Sequence, residues 1–132
     1  MIVYLTLEDL IAIAGHAVGG EPSMRDVGLL ESAAARPRAT VFGADAYPSV
    51  FEKAAALCES LVCNHALVDG NRRLGWLATW VFCDMNGIVL NPSQEEVVDL
   101  IVSVADGTLR DVPALAARLQ ALPRDQASPE PR

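Results

Sequence analysis

The sequence contains few cysteines, a single lysine and no apolar run long enough to cross a bilayer. Its three cysteines, Cys58, Cys63 and Cys83, are an odd number and form no CxxC pair. This excludes a disulfide framework and a structural zinc site of the usual spacing, and it predicts buried apolar thiols. The first residues also lack the charged and apolar regions of a secretory signal. These absences predict a cytoplasmic protein that does not bind membranes.

Positive charge is scarce as well. Ten basic residues stand against 17 acidic ones, and the net charge is −7 at pH 7. Such a surface repels nucleic acid, so we expect no direct nucleic-acid partner. With 132 residues, of which 52% are hydrophobic, the chain is long enough for one packed domain.

Helical spacing and helix-capping residues cover most of the chain. A loop from Pro37 to Pro48 interrupts the helices and contains a short extended segment, Thr40–Phe42. From Pro123 to Arg132 the chain is rich in proline and polar residues, so we predict one domain over residues 1–122 and a disordered tail over 123–132. The predicted helices run from Thr6 to Val18, Asp26 to Ala35, Ser49 to Asn64, Asn71 to Asn86, Ser93 to Asp106 and Val112 to Leu122.

The helix from Asn71 to Asn86 is apolar on most of its sides, which is typical of a buried helix. The sequence therefore predicts an all-α fold, a compact helical bundle around this buried central helix. Lys53, the only lysine, is expected on an exposed face near the turn that precedes the central helix.

That turn concentrates the polar side chains best suited to chemistry. It leads into the N-terminus of the central helix, where unpaired N–H groups and the positive end of the helix dipole attract anions, most often phosphate. A carboxylate there suits Mg²⁺ that also binds phosphate oxygens, and guanidinium groups suit phosphate geometry. The turn contains the candidate base His65, the carboxylate of Asp69, the permissive Gly70, the amide of Asn71 and the cations Arg72 and Arg73.

Each of these residues also has a purely structural interpretation. His65 could be a hydrogen-bonded residue of the fold, and Asp69 or Asn71 could simply cap the helix. Arg72 and Arg73 could form a solvated face. Their combination at one helix N-terminus is what favours a site for a nucleotide phosphate.

The segment from His65 to Arg73 resembles the signature of the Fic/Doc superfamily, His-x-Phe-x-Asp/Asn-Gly/Ala-Asn-Gly/Lys-Arg. Two upstream runs, 25–33 and 47–57, resemble the Doc (death-on-curing) branch, and the resemblance covers about residues 5–119. It implies a Fic-type bundle and the following roles: His65 as the base that deprotonates a target hydroxyl, Asp69 as the Mg²⁺ ligand, Arg73 as a further catalytic residue, and Gly70, Asn71, Arg72 and Arg73 as the phosphate-holding turn.

Several positions depart from the family pattern. Leu67 replaces the phenylalanine that anchors the loop in the core, which is an apolar exchange. Arg72 stands where AMP-transferring members have glycine and Doc-type members have lysine. Trp76, expected in the core, stands where the AMP-transferring motif has a second arginine. The last two changes favour the Doc branch, which resembles kinases, binds ATP in the reversed sense and transfers the γ-phosphate.

The resemblance further implies a toxin of a toxin–antitoxin pair, with ATP as co-substrate and Mg²⁺ as cofactor. The implied target is a threonine of a translation factor of the elongation factor Tu class, so that translation is inhibited. The sequence lacks the self-inhibitory Ser/Thr-x-x-x-Glu-Gly/Asn pattern, and inhibition would come from a separate Phd-type antitoxin. The charge of −7 favours a basic or amphipathic helix as its binding segment.

Two other functions stay open at this point. One is transfer of AMP or another part of a nucleotide, which Arg72 and Trp76 disfavour. The other is a non-catalytic Fic-fold binding module, which would not need His65, Asp69, Asn71 and Arg73.

Overall fold

A computed structural model describes residues 1–126 and contains six α-helices. They are α1 (Leu7–Val18), α2 (Val27–Ala35), α3 (Val50–Cys63), α4 (Asn71–Met85), α5 (Gln94–Ala105) and α6 (Val112–Ala121). The predicted all-α fold is confirmed, because the strands are four two-residue pieces: β1 (Thr40–Val41), β2 (Ala44–Asp45), β3 (Val89–Leu90) and β4 (Arg124–Asp125).

Local capping explains where most of the helices begin. Thr6, Ser49 and Ser93 each accept, at the side-chain oxygen, a hydrogen bond from the backbone N–H of the acid three residues later, and the carboxylate of that acid accepts the cap residue's own N–H. These are capping boxes, which satisfy two otherwise unpaired donors. Asp26 and Asp111 cap α2 and α6 through their carboxylates. The predicted helix positions follow from these signals and agree with the structure.

The most central helix is α3, and the prediction that α4 holds this place is wrong. Helix α3 packs against α2, α4, α5 and α6 and against the 3₁₀ turn Arg36–Arg38. Its alanines at 54–56 are fully buried, and their small side chains let neighbouring elements approach on several sides. Helix α4 packs on α1, α3, α5 and β3 but leaves Trp76 and Trp80 half-buried.

Close contact between α3 and α4 depends on Gly75. A Cβ added there would collide with Val62 Cγ2, so the two helices cross with almost no space between them. The end of α3 and the beginning of α4 are therefore held in a fixed relation, and the loop that joins them is the one that carries the polar motif.

Lys53 contradicts its prediction, since its side chain is 1% exposed and lies at the start of α3. Its Nζ donates to Asp45 Oδ2 at 3.1 Å and to Tyr47 O at 2.6 Å. A buried ammonium needs such partners because desolvation of an unpaired charge is costly. Lys53 thus fixes the β1–β2 hairpin to α3, at the opposite end of that helix from the motif.

The chain beyond α6 continues the fold. Strand β4 pairs antiparallel with β3, with Arg124 opposite Leu90 and Asp125 opposite Val89. The predicted tail begins at Pro123, so its first residues are ordered against β3, and residues 127–132 lie outside the described part. Within residues 1–126, no helix is long and apolar enough to span a membrane.

Candidate functional site

The motif loop starts at an unusual backbone conformation. Helix α3 ends at Cys63, and Asn64 then donates from Nδ2 to Leu29 O at 3.0 Å and accepts the Ala66 N–H at 3.2 Å. His65, between these contacts, has a φ of 56°. This left-handed conformation is unfavourable for a residue with a Cβ and persists only where the surroundings impose it. The side chain of His65 is exposed at this bend.

A short segment before α2 pairs with the loop. The carbonyl of Ala66 accepts the N–H groups of Arg25 at 2.8 Å and Asp26 at 3.0 Å. The N–H of Val68 donates to Ser23 O at 2.9 Å. The loop therefore has an antiparallel partner on one side, which limits its movement.

The loop alternates between core and solvent. Ala66 and Leu67 are fully buried, and Leu67 forms an isolated bridge with Met24. Val68 and Asp69, the next two residues, are exposed. Leu67 thus anchors the loop in the core, as the sequence predicts for the residue at the phenylalanine position.

Asn71 closes the loop with its side chain. Its Oδ1 accepts the Leu67 N–H at 3.0 Å, and its Nδ2 donates to Leu67 O at 2.9 Å. The amide thus forms one accepted and one donated hydrogen bond with the main chain of Leu67. We expected Asn71 to hold phosphate; the structure shows that its side chain shapes the turn, which leaves its backbone N–H for an anion.

The N-terminus of α4 is open. Gly70 is its N-cap residue, with a φ of 93°, and no side chain within residues 1–126 caps this helix end. A Cβ at Gly70 would lie 2.7 Å from Val18 Cγ1, so the position requires glycine for space as well as for conformation. The first-turn N–H groups of α4 have no partner within the helix and point toward the loop.

Two guanidinium groups flank this helix end. Arg72 and Arg73 are exposed, and neither forms an ion pair with a residue of the described chain. The carboxylate of Asp106 lies near Arg72, at the end of α5. A hydrogen bond from Thr108 and the charges of Arg110 and Arg72 hold the pKa of Asp106 below its usual value.

A cavity of about 420 Å³ adjoins the two arginines, between α1, α4 and α5. Its walls are mostly apolar, and its cationic or titratable groups lie together on α1 and the first turn of α4. Sequence reasoning missed His16, which no local pattern could have placed in the same cavity wall as Arg72. The lining residues are His16, Ala17, Arg72, Arg73, Trp76, Leu77, Val97, Val98, Ile101 and Val102.

His65, Asp69 and Gly70 lie on one short loop, which leads into the first turn of α4. Asp69 is exposed and makes no hydrogen bond to residues 1–126. No cluster of three or more metal-binding side chains exists in that part of the chain. One carboxylate beside a phosphate site suits Mg²⁺, which takes its remaining ligands from phosphate oxygens and water.

The amino-acid sequence is similar to that of known proteins over more than half of its length. The Fic/DOC family model matches residues 4–83. A curated relative, "Toxin Doc" of Mycolicibacterium smegmatis (strain ATCC 700084 / mc(2)155), is 54% identical over 90 residues, which cover 68% of this chain and 69% of the relative. The chain belongs to the Fic/DOC family.

Proposed function

We propose that this protein is the toxin of a toxin–antitoxin pair and transfers the terminal phosphate of ATP to a hydroxyl of a protein target. The observation that carries the proposal is the pair of hydrogen bonds between Asn71 and Leu67. It closes the motif loop, which connects the base candidate His65 to the open N-terminus of α4. The 54% identical relative named "Toxin Doc" supports the toxin assignment.

His65 would act as the base. A threonine hydroxyl is a weak nucleophile and needs a positioned proton acceptor. As the hydroxyl oxygen forms a bond to the γ-phosphorus, its proton passes to His65. The bond from the γ-phosphorus to the bridging oxygen breaks, and ADP leaves with that electron pair. The exposed position of His65 lets a folded protein target reach it.

The first turn of α4 would hold the phosphates. The backbone N–H groups after Gly70 and the guanidinium groups of Arg72 and Arg73 supply donors and positive charge where negative charge is transferred. Asp69 would bind Mg²⁺, which neutralises phosphate charge when bound.

Two residues favour phosphate over AMP transfer. Arg72 occupies the position where the AMP-transferring motif has glycine, and Trp76 occupies that of its second arginine. Trp76 has no guanidinium group to offer the inner phosphates, and in the structure its side chain forms part of a cavity wall.

The partners proposed are a Phd-type antitoxin and a target of the elongation factor Tu class. Support for the antitoxin comes from the name of the relative, and from the absence of a self-inhibitory motif in this sequence. The target proposal rests on the resemblance to the Doc branch.

Intact-mass measurement tests the reaction. The protein is incubated with elongation factor Tu, Mg²⁺ and ATP, and the target is weighed. A phosphate-sized gain that disappears with His65→Ala and with Asp69→Asn supports the proposal. An AMP-sized gain would assign AMP transfer instead. If neither gain occurs, and expression of the His65→Ala variant slows growth as much as the unaltered protein, catalysis by His65 is refuted.

A further inference from the structure

We propose that Asn64 is a positioning residue for the candidate base. Its side-chain amide holds His65 in a left-handed backbone conformation, and this conformation sets the direction in which the imidazole leaves the chain. The inference rests on the proposed function in one respect, since it takes His65 as the base. Its conformational part is measurable without any transfer reaction.

The end of helix α3 differs from the ends of three other helices. Each of those three ends at a glycine with a positive φ, namely Gly19 after α1 (75°), Gly87 after α4 (86°) and Gly107 after α5 (92°). Glycine is the usual residue there because a Cβ is unfavourable in this conformation. Helix α3 has His65 at the corresponding position, with a φ of 56°. Strained backbone positions concentrate at functional sites, so this exchange indicates a function for the imidazole.

The amide of Asn64 spans His65. Its Oδ1 accepts the N–H of Ala66, two positions ahead, at 3.2 Å, and its Nδ2 donates to Leu29 O of α2 at 3.0 Å. The first bond closes an Asx turn around His65. The second ties this turn to α2, so the turn has a fixed orientation relative to the rest of the fold.

A second turn of the same kind follows α5. The carboxylate of Asp106 accepts the Thr108 N–H at 2.8 Å, and the residue enclosed is Gly107. Glycine adopts a positive φ without steric cost, and an acceptor alone closes this turn. The additional donor, which in Asn64 reaches another helix, occurs at the turn whose enclosed residue has a side chain to orient.

The other residue with a Cβ and a positive φ within residues 1–126 has a different cause. Phe42 and Gly43 form the two-residue connection of the β1–β2 hairpin, with φ of 51° and 82°. Such tight hairpin turns require positive φ at both residues. His65 is in no hairpin with α3, because the next carbonyl, that of Ala66, accepts from the segment before α2. The conformation of His65 therefore depends on Asn64.

The backbone is what directs the imidazole. The side chain of His65 is exposed and makes no hydrogen bond to residues 1–126, so no side-chain contact of that kind orients it. A general base must lie within hydrogen-bond reach of the hydroxyl whose proton it accepts. A turn that fixes where the Cβ of His65 points thus decides whether the imidazole meets the hydroxyl.

Initial rates of phosphate transfer to elongation factor Tu, with calorimetric titration of Mg²⁺-ATP, test the functional part. Asn64→Ala removes both hydrogen bonds and should lower kcat by about 10- to 100-fold, the effect of a displacement of roughly 1 Å. The Kd of Mg²⁺-ATP should stay unchanged, because the bonds between Leu67 and Asn71 remain. Asn64→Asp keeps the acceptor and loses the donor, so its kcat should lie between those of Asn64→Ala and the unaltered protein.

Nuclear magnetic resonance tests the conformational part. A left-handed residue gives a strong cross-peak between its own N–H and Hα, because these two protons are close. His65 should show this cross-peak in the unaltered protein and in Asn64→Asp, and it should weaken in Asn64→Ala. If Asn64→Ala does not fold, Asn64→Asp is decisive, since it should keep the cross-peak and still have a lower kcat than the unaltered protein.

Asn86→Ala is the matched control. Asn86 is the C-cap residue of α4, as Asn64 is of α3, and its amide also binds the main chain of another segment: Oδ1 accepts the Val3 N–H at 2.8 Å, and Nδ2 donates to Val3 O at 2.9 Å. This variant should lose stability as Asn64→Ala does. Its kcat and the His65 cross-peak should be those of the unaltered protein.

Several results would overturn the assignment. Unchanged kcat in folded Asn64→Ala refutes the positioning role and leaves the proposed function standing. A His65 cross-peak that is equally strong in Asn64→Ala shows that the loop imposes the bend without Asn64. Equal losses of kcat and of Mg²⁺-ATP affinity would assign Asn64 to nucleotide binding instead. If the unaltered protein transfers no phosphate, the proposed function fails, and the cross-peak alone decides whether Asn64 holds the bend.

Discussion

Asn71 and Leu67 form a closed ring of two hydrogen bonds across the motif loop. The Leu67 N–H donates to Asn71 Oδ1 at 3.0 Å, and Asn71 Nδ2 donates to Leu67 O at 2.9 Å. Because Leu67 is fully buried, this ring ties the first turn of α4 to the core. It explains why position 71 holds an amide, which offers both a donor group and an acceptor to the same peptide unit.

The first prediction concerns this ring. Asn71→Ala removes both hydrogen bonds and leaves the Leu67 main chain without its partners, which should lower the free energy of unfolding by about 1–3 kcal/mol. Asn71→Asp keeps the acceptor, loses the donor and should also impair phosphate transfer, because a carboxylate next to the site repels phosphate. Urea unfolding and initial transfer rates measure the two effects. Asn91→Ala, which removes an exposed contact with Asp125, is the control.

The backbone at His65 leads to a second prediction. His65→Gly relieves the left-handed conformation, so the free energy of unfolding should stay the same or rise by up to about 1 kcal/mol, while phosphate transfer is lost. Phe42→Gly is the matched control, because Phe42 has a φ of 51° in the distant hairpin and a fully exposed ring. That variant should transfer phosphate normally. A His65→Gly protein that is strongly destabilised would show that the imidazole, not the surrounding loop, holds the bend.

A third prediction separates strain from crowding at Gly70. Gly70→Ala should destabilise the protein more than Gly19→Ala, because both glycines have positive φ but only the Cβ at 70 meets another atom, Val18 Cγ1 at 2.7 Å. The double variant Gly70→Ala/Val18→Ala should recover the part of the lost stability that is due to the contact with Val18. Thermal unfolding of the single and double variants measures the difference. Equal effects of the two glycine substitutions would mean that crowding at Val18 is unimportant.

The buried thiols predict a dependence on alkaline pH. Burial raises the pKa of Cys58 and of Cys83 from 9.0 to about 12. Their stabilising effect is complete below pH 9.0, the ordinary value for the unfolded chain, and is lost as the pH rises toward about 12, because the unfolded thiols release protons that the folded ones retain.

Urea titrations at about pH 8 and about pH 10 test this dependence. The free energy of unfolding should fall between the two values, and it should fall less in the Cys58→Ala/Cys83→Ala variant. An equal decrease in the free energy of unfolding of both proteins would show that other groups cause it. Burial also raises the pKa of the half-buried Cys63. Substitution of Cys63 should change the pH dependence of the free energy of unfolding less than the double variant does.

The sequence by itself determined the helices and the motif loop. Helix starts such as Thr6, Ser49 and Ser93 depend on hydrogen bonds to residues three positions away, so the information lies within one turn. The succession from His65 to Arg73 likewise placed an imidazole, a carboxylate and the N-terminus of a helix close together, because residues in one tight turn cannot be far apart.

Only the tertiary structure decided which helix is central and what surrounds the motif. The burial of Lys53 depends on a carboxylate and carbonyl groups in the preceding segment, and the presence of His16 in the same cavity as Arg72 depends on how α1 packs on α4. Trp76 looked like a core residue because hydrophobicity alone does not distinguish a core from a cavity wall. These features arise from contacts between residues far apart in the chain, and side-chain volume and charge pairing at those contacts are set only when the helices have packed.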